Sequence, residues 1–160
     1  MSELESMAEE ISATPNWWLF PADGEVKGFL GSSSIFFVGD QPSQSNWGMN
    51  HPSRIVFYGA LQSLGVGNAH LTDLYKKRGE CSELRNGLPR DFTRHLRFFR
   101  REIDLLEPTR IIALGRLAYK FLWNETPDLR PKLSSVWHFA YVARTNRIDE
   151  YRRQIKQAMN

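Results

Sequence analysis

Continuous apolar runs alternate with amphipathic stretches over most of the 160 residues. Ile35-Phe36-Phe37-Val38 is apolar throughout and breaks directly into Gly39-Asp40-Gln41-Pro42-Ser43. A run without polar alternation, bounded by turn formers, predicts a strand buried on both faces. His51-Pro52-Ser53 opens a predicted helix in which Ile55, Tyr58, Leu61 and Leu64 share a face, with Ser53 as its cap and Gly65 as its stop. Residues 69–75, Ala-His-Leu-Thr-Asp-Leu-Tyr, predict a second strand, and a polar, Gly-containing loop follows over 76–90. The clearest helix spans 91–106, where Phe92, Leu96, Phe99, Ile103 and Leu106 form an apolar stripe that Pro108 ends. Arg110-Ile111-Ile112-Ala113-Leu114 predicts a third strand, Gly115 a turn, and 116–123 a helix. Ser134 to Ala140 reads as a fourth strand, and 147–159 as a last helix with Ile148, Tyr151, Ile155 and Met159 on one face.

Upstream of this alternation, Leu4, Met7 and Ile11 sit at helical spacing in an acidic leader that Thr14-Pro15-Asn16 breaks. Trp17-Trp18-Leu19-Phe20 reads as a patch that packs against the body. Strands alternating with helices predict an α/β fold with three layers. Its short, mostly parallel sheet has four strands and carries helices on both faces. The expected organisation is one domain over 1–160, with 1–34 an N-terminal helical and aromatic extension packing on it.

Hydrophobic residues at 41% and charged residues at 24% fit a soluble globular chain, while aromatics at 12% leave some rings for a binding surface. The net charge of +3 permits an acidic partner such as nucleic acid without demanding one. Arg94, Arg97 and Arg101 share one stripe of the 91–106 helix, the usual mark of a solvated face. Cys81 is the only cysteine, which excludes an intramolecular disulfide and any cysteine-ligated zinc or iron–sulfur cluster, and gives it no evident catalytic partner. His51, His70, His95 and His138 are scattered, so no metal and no cofactor is expected. The acidic start lacks a secretory h-region and no apolar run approaches a membrane span; a cytoplasmic protein without a membrane partner is the expectation.

In open α/β sheets ligands bind outside the carboxyl ends of the strands, where Asp40, Gln41 and Ser43 would converge. Each candidate has a plainer reading beside it. Asp40 could cap backbone amides in its turn. Asp73 could pair with Lys76, Lys77 or Arg78. Trp47 could be core, and His138 a strand histidine beside Trp137.

Four motifs taken in order carry a family resemblance: Gly39-Asp40-Gln41-Pro42-Ser43, Leu71-Thr72-Asp73-Leu74-Tyr75-Lys76-Lys77-Arg78, Glu102 through Ala118, and Val136-Trp137-His138. Over about residues 35–145 the chain resembles the uracil-DNA glycosylase superfamily. The resemblance implies a three-layer, uracil-DNA glycosylase-like fold with a cleft for an extruded base. It makes Asp40 the carboxylate that stabilises the sugar cation and orients water, and His138 the group that stabilises the departing base anion. Gln41, Trp47 and Asp73 become base-binding residues, with Trp47 the stacking ring. Ser43, Lys76, Lys77, Arg78 and Arg144 become DNA-backbone contacts, and Phe139 or Tyr141 the wedge that fills the space left by the base.

Two departures qualify that expectation. Asp73 stands where the family reads the base with Asn; an ionised Asp only accepts, so it suits a base bearing an exocyclic amine or must stay protonated. His138 is followed by Phe139-Ala140 and not Pro-Ser, while the literal His51-Pro52-Ser53 lies too early and reads as a decoy. The implied function is a monofunctional, water-activated DNA glycosylase for a damaged or deaminated base other than plain uracil, acting as a monomer. The alternatives are a non-catalytic glycosylase-fold protein that binds nucleic acid or a nucleotide, and an enzyme acting on free nucleosides.

Overall fold

The computed structural model describes residues 1–44, 47–79 and 83–160, so Cys81 lies outside the described residues. Four strands, β1 (Ile35–Gly39), β2 (His70–Asp73), β3 (Arg110–Leu114) and β4 (Leu133–Val136), form one sheet in the order β2-β1-β3-β4. Every pairing is parallel. Between them run α2 (Pro52–Ser63), α3 (Phe92–Leu106) and α4 (Arg116–Glu125); α1 (Glu3–Ala13) precedes the sheet, and α5 (Phe139–Thr145) and α6 (Ile148–Met159) follow it.

Alternate residues of the central strands feed two separate cores, as a strand with helices on both faces requires. Phe37 and Ile112 pack with Phe57, Leu61, Val142, Tyr151 and Ile155, which places α2, α5 and α6 on one face. Phe36, Val38, Ile111 and Ala113 pack with Phe92, Phe99, Ala118 and Leu122, which places α3 and α4 on the other. The result is a three-layer α/β/α arrangement. Strands β1 and β3 are neighbours whose chains leave in opposite directions across the sheet, so their carboxyl ends flank a topological switch point.

The N-terminal segment is held by its own apolar face. Ser2 and Glu5 form a reciprocal capping box at the start of α1, and Leu4, Met7 and Ile11 bury against Phe29 and Phe98. Trp17 then lies on His95 and edge-on to Phe98. Arg94 and Arg101 cover Trp17 and Phe98, and Arg101 also pairs with Glu10 of α1. These cations line the seam between α1 and α3.

Several boundaries differ from expectation. The fourth strand stops at Val136, and residues expected to extend it form α5. His138 is the cause: its Nδ1 accepts the Ala140 backbone N–H at 3.1 Å and caps a new helix. The second strand stops at Asp73, because the Leu74 and Tyr75 amides donate to the Gly39 and Asp40 carbonyls as the chain leaves the sheet. Helix α2 is capped by His51, whose Nδ1 accepts from the Ser53 amide, and not by the Ser53 hydroxyl. Of its expected face, Tyr58 and Leu61 are buried but Ile55 is 57% exposed, and Phe57 and Ala60 are buried as well, so the face is rotated. No described helix is long and apolar enough to cross a membrane.

Candidate functional site

A cavity of about 210 Å³ opens at the carboxyl ends of β1 and β2. Its walls are rings. Trp47 meets Phe20 and Trp18 edge-on at 5.5 and 5.6 Å between centroids, and Phe139 lies tilted against Trp47 at 5.5 Å. Arg54, 8% exposed, locks this box: it donates to the Trp47 carbonyl at 2.9 Å and pairs with Asp23 at 3.1 Å. Polar groups enter from separate elements: Gln41 and Ser43 after β1, His51 ahead of α2, Asp73 at the end of β2, Arg78 beyond it, and His138 ahead of α5. Drug-sized pockets run to about 300–1,000 Å³, so this volume suits a single flat heterocycle.

His138 also borders a second, larger cavity of about 820 Å³, lined by Asp40, Arg85, Arg116, Ser135 and Tyr141 among others. The imidazole therefore stands between a small aromatic chamber and an open, partly basic groove. Gly115, in the left-handed region at φ 96°, lets the chain pass this point; a Cβ there would sit 3.2 Å from that of His138. Desolvation in the cleft pushes the His138 imidazole below its ordinary value, partly opposed by the nearby Asp40 carboxylate. Both that shift and the amide accepted at Nδ1 favour the neutral ring. With Nδ1 accepting from Ala140, its proton sits on Nε2, which makes Nε2–H a donor.

No hydrogen bond or ion pair restrains the Asp40 carboxylate among the described residues, so the turn-capping alternative does not hold. Its backbone carbonyl instead accepts from Tyr75 and ties the end of β1 to the exit of β2. Asp73 is 5% exposed, and its Oδ2 has no hydrogen-bond partner. Burial pushes its carboxyl well above the usual carboxylate range, and Asp40 adds to that shift. Gly39 is needed for this approach, since a Cβ there would collide with Asp73 Oδ1.

Below Asp73 lies a closed polar cluster. Glu102 of α3 pairs with His70 Nε2 at 2.7 Å and with Lys76 Nζ at 2.8 Å, all within the protein interior. Lys76 also donates to Thr72 Oγ1 at 3.1 Å and to the Asp73 backbone carbonyl at 2.6 Å. Burial would raise Glu102, but Lys76 and His70 together hold it below the ordinary carboxylate value.

Asp40, Gln41, Ser43, Trp47, Asp73, Arg78, His138 and Phe139 therefore gather around two adjoining cavities. Other expectations need correction. Lys76 is 1% exposed and belongs to the Glu102 cluster, so it cannot reach a DNA backbone. Nor does Asp73 pair through its side chain with that lysine, which takes its backbone carbonyl. Phe139 is folded inward onto Phe57 and Trp47, a wall and not a protruding wedge. Tyr141 packs on Trp137, and its hydroxyl accepts from Arg147 at 3.0 Å, which removes it as a free wedge. Lys77 is half-buried and its carbonyl accepts the Gln41 amide; Arg144 is exposed at the end of α5, over the Tyr141 ring.

Several cavity residues escaped the sequence reading, Trp18, Phe20, His51 and Ser53 among them. Trp18 and Phe20 come from the segment read as packing alone, and His51 was set aside as a decoy. His51 does carry a signal: like His138, it directly precedes a helix and accepts an amide through Nδ1. Nothing in the local pattern brings Trp18 and Phe20 here.

Fold and site together define a three-layer α/β protein with an aromatic-walled polar cavity at the carboxyl edge of its parallel sheet. No protein-family model matches the chain, and no curated protein sequence matches it.

Proposed function

We propose that the protein is a divergent member of the uracil-DNA glycosylase superfamily that hydrolyses the N-glycosidic bond of an extruded nucleotide. The observation that carries this reading is His138, a neutral Nε2–H donor standing between a base-sized aromatic cavity and the groove that holds the Asp40 carboxylate. The base enters the aromatic cavity, and the sugar lies toward Asp40. As the C1′–N bond breaks, its electron pair passes to the base, and the His138 Nε2–H stabilises the oxyanion that develops. Asp40 stabilises the cationic sugar and orients a water, whose oxygen bonds to C1′. The proton lost by the water goes by way of Asp40 to the base, leaving a free base and an abasic sugar.

A panel of single- and double-stranded oligonucleotides, each bearing one deaminated or oxidised base, tests this reading. At least one should yield an abasic site, and Asp40→Asn and His138→Ala should each slow that reaction about 100- to 1,000-fold without unfolding the protein. An intact panel, with a known glycosylase cutting it in parallel, overturns the reading.

The inward fold of Phe139 and the withdrawal of Lys76 favour a second reading, a nucleotide-binding protein without hydrolysis. It requires saturable binding that both variants leave unchanged.

A further inference from the structure

Asp73 is a buried acid that lines the base-sized cavity, and its Oδ2 has no hydrogen-bond partner. The surrounding charges explain why it has no counter-ion. From β1 comes Asp40, a second acid. From α3 comes Glu102, a third, already paired with His70 and Lys76. The Lys76 ammonium donates to Thr72 Oγ1 and the Asp73 backbone carbonyl and is ion-paired with Glu102, so its charge is already met. From α2 comes Tyr58, whose hydroxyl donates to the Pro21 carbonyl at 2.6 Å. His51, Arg78 and His138 line the same cavity. Burial and a neighbouring acid both favour the protonated form of such a carboxyl, against the opposing charge of Lys76.

Resting on the glycosylase reading above, we propose that Asp73 reads the base as a neutral carboxylic acid, offering O–H and C=O side by side, so that the cavity accepts pyrimidines with either a 4-oxo or a 4-amino group. A 4-oxo pyrimidine presents an acceptor at O4 and a donor at N3–H. A 4-amino pyrimidine presents a donor at N4 and an acceptor at N3. A carboxylic acid matches both, because its proton can sit on either oxygen without the side chain moving. The ionised form matches neither, since one oxygen always faces a lone pair. Burial rewards the match and penalises the mismatch, because an unpaired polar group in the cavity has no water to turn to. Burial and Asp40 both push the Asp73 carboxyl well above the usual carboxylate range, as this role requires.

The test has two independent arms. Infrared difference spectroscopy of the whole protein, wild type against Asp73→Asn, should show the carbonyl band of a protonated carboxylic acid at neutral pH, lost as pH rises. In parallel, excision is followed on oligonucleotides carrying uracil, cytosine, 5-hydroxyuracil or 5-hydroxycytosine. The wild type should process the 4-oxo and 4-amino members of the 5-hydroxy pair with similar kcat/KM, and lose both over the pH range in which the band disappears. Asp73→Asn, whose donor is fixed on nitrogen, should lose that alkaline limb and shift the ratio between the two classes about 100-fold. An absent band overturns the proposal whatever the activity. With the band present, excision of one class alone by the wild type, or an unchanged ratio in the variant, overturns the base-reading role while leaving glycosylase chemistry standing. With the band present, no excision of any substrate overturns both.

Discussion

Asp73 and Glu102 are both buried, and both feel the charge of Lys76, yet they are driven in opposite directions. Glu102 receives His70 at 2.7 Å and Lys76 at 2.8 Å, and is held below the ordinary carboxylate value against the pull of burial. Asp73 has no such contact, faces a second acid in Asp40, and is pushed upward. Depth is common to the two; the number of partners separates them. An ion-paired cluster pins α3 to β2 inside the protein. A buried carboxyl with an unpartnered oxygen keeps hydrogen-bonding capacity that no described residue satisfies. The same contrast divides the histidines. Both ring nitrogens of His70 meet protein acceptors, the Gly31 carbonyl and Glu102, whereas only Nδ1 of His138 has a protein partner among the described residues.

The largest test of this contrast removes the ion-paired acid. Glu102→Ala strands the Lys76 ammonium in the interior, and equilibrium urea unfolding should show a loss of about 3–5 kcal/mol. A loss below 1 kcal/mol would mean that the cluster is no better matched than the cleft. The next effect belongs to the cavity wall. Trp18→Ala should weaken binding of a free base by about 1–3 kcal/mol, read by titration calorimetry, while the unfolding midpoint moves little because Trp18 is only half-buried. Asp73→Asn should then leave stability unchanged or raise it by up to about 1 kcal/mol, the reverse of Glu102→Ala, since it removes a strained acid and breaks no ion pair. Arg100→Ala is the control at the small end. Its bidentate bond to Asp128 at 2.7 Å lies at the surface and should contribute about 0.2–1 kcal/mol.

Acid sharpens the comparison from another side. Desolvation lowers His95 from 6.5 to about 4, partly opposed by Asp91, and its Nδ1 accepts the Lys76 backbone N–H at 2.9 Å. The folded protein keeps this ring neutral while the unfolded chain takes a proton below 6.5. The stability it lends is complete above 6.5 and is lost as pH falls toward 4. Urea midpoints measured across that window should fall, and should fall less in His95→Asn.

Much of the sheet was legible in the chain. The runs at 35–38 and 111–114 are apolar without interruption because both faces of those strands are covered, and the stripe from Phe92 to Leu106 has a single buried side. The join of β4 and α5 was not legible, because a histidine cap is written in one hydrogen bond and not in periodicity. In the cleft, motif order brought Asp40, Asp73 and His138 into view. Lys76 was misread because its partner Glu102 lies far along the chain on α3, and Trp18 and Phe20 were missed because they reach the site from the N-terminal segment.

The amino-acid order alone determined which segments form the four strands and the longer helices, since the rhythm of apolar residues reports how each segment meets its nearest layer. Charge states and cavity walls were decided only by the folded chain. They depend on which side chains far apart in sequence come within a few ångströms of one another in the absence of water, and no local pattern carries that distance.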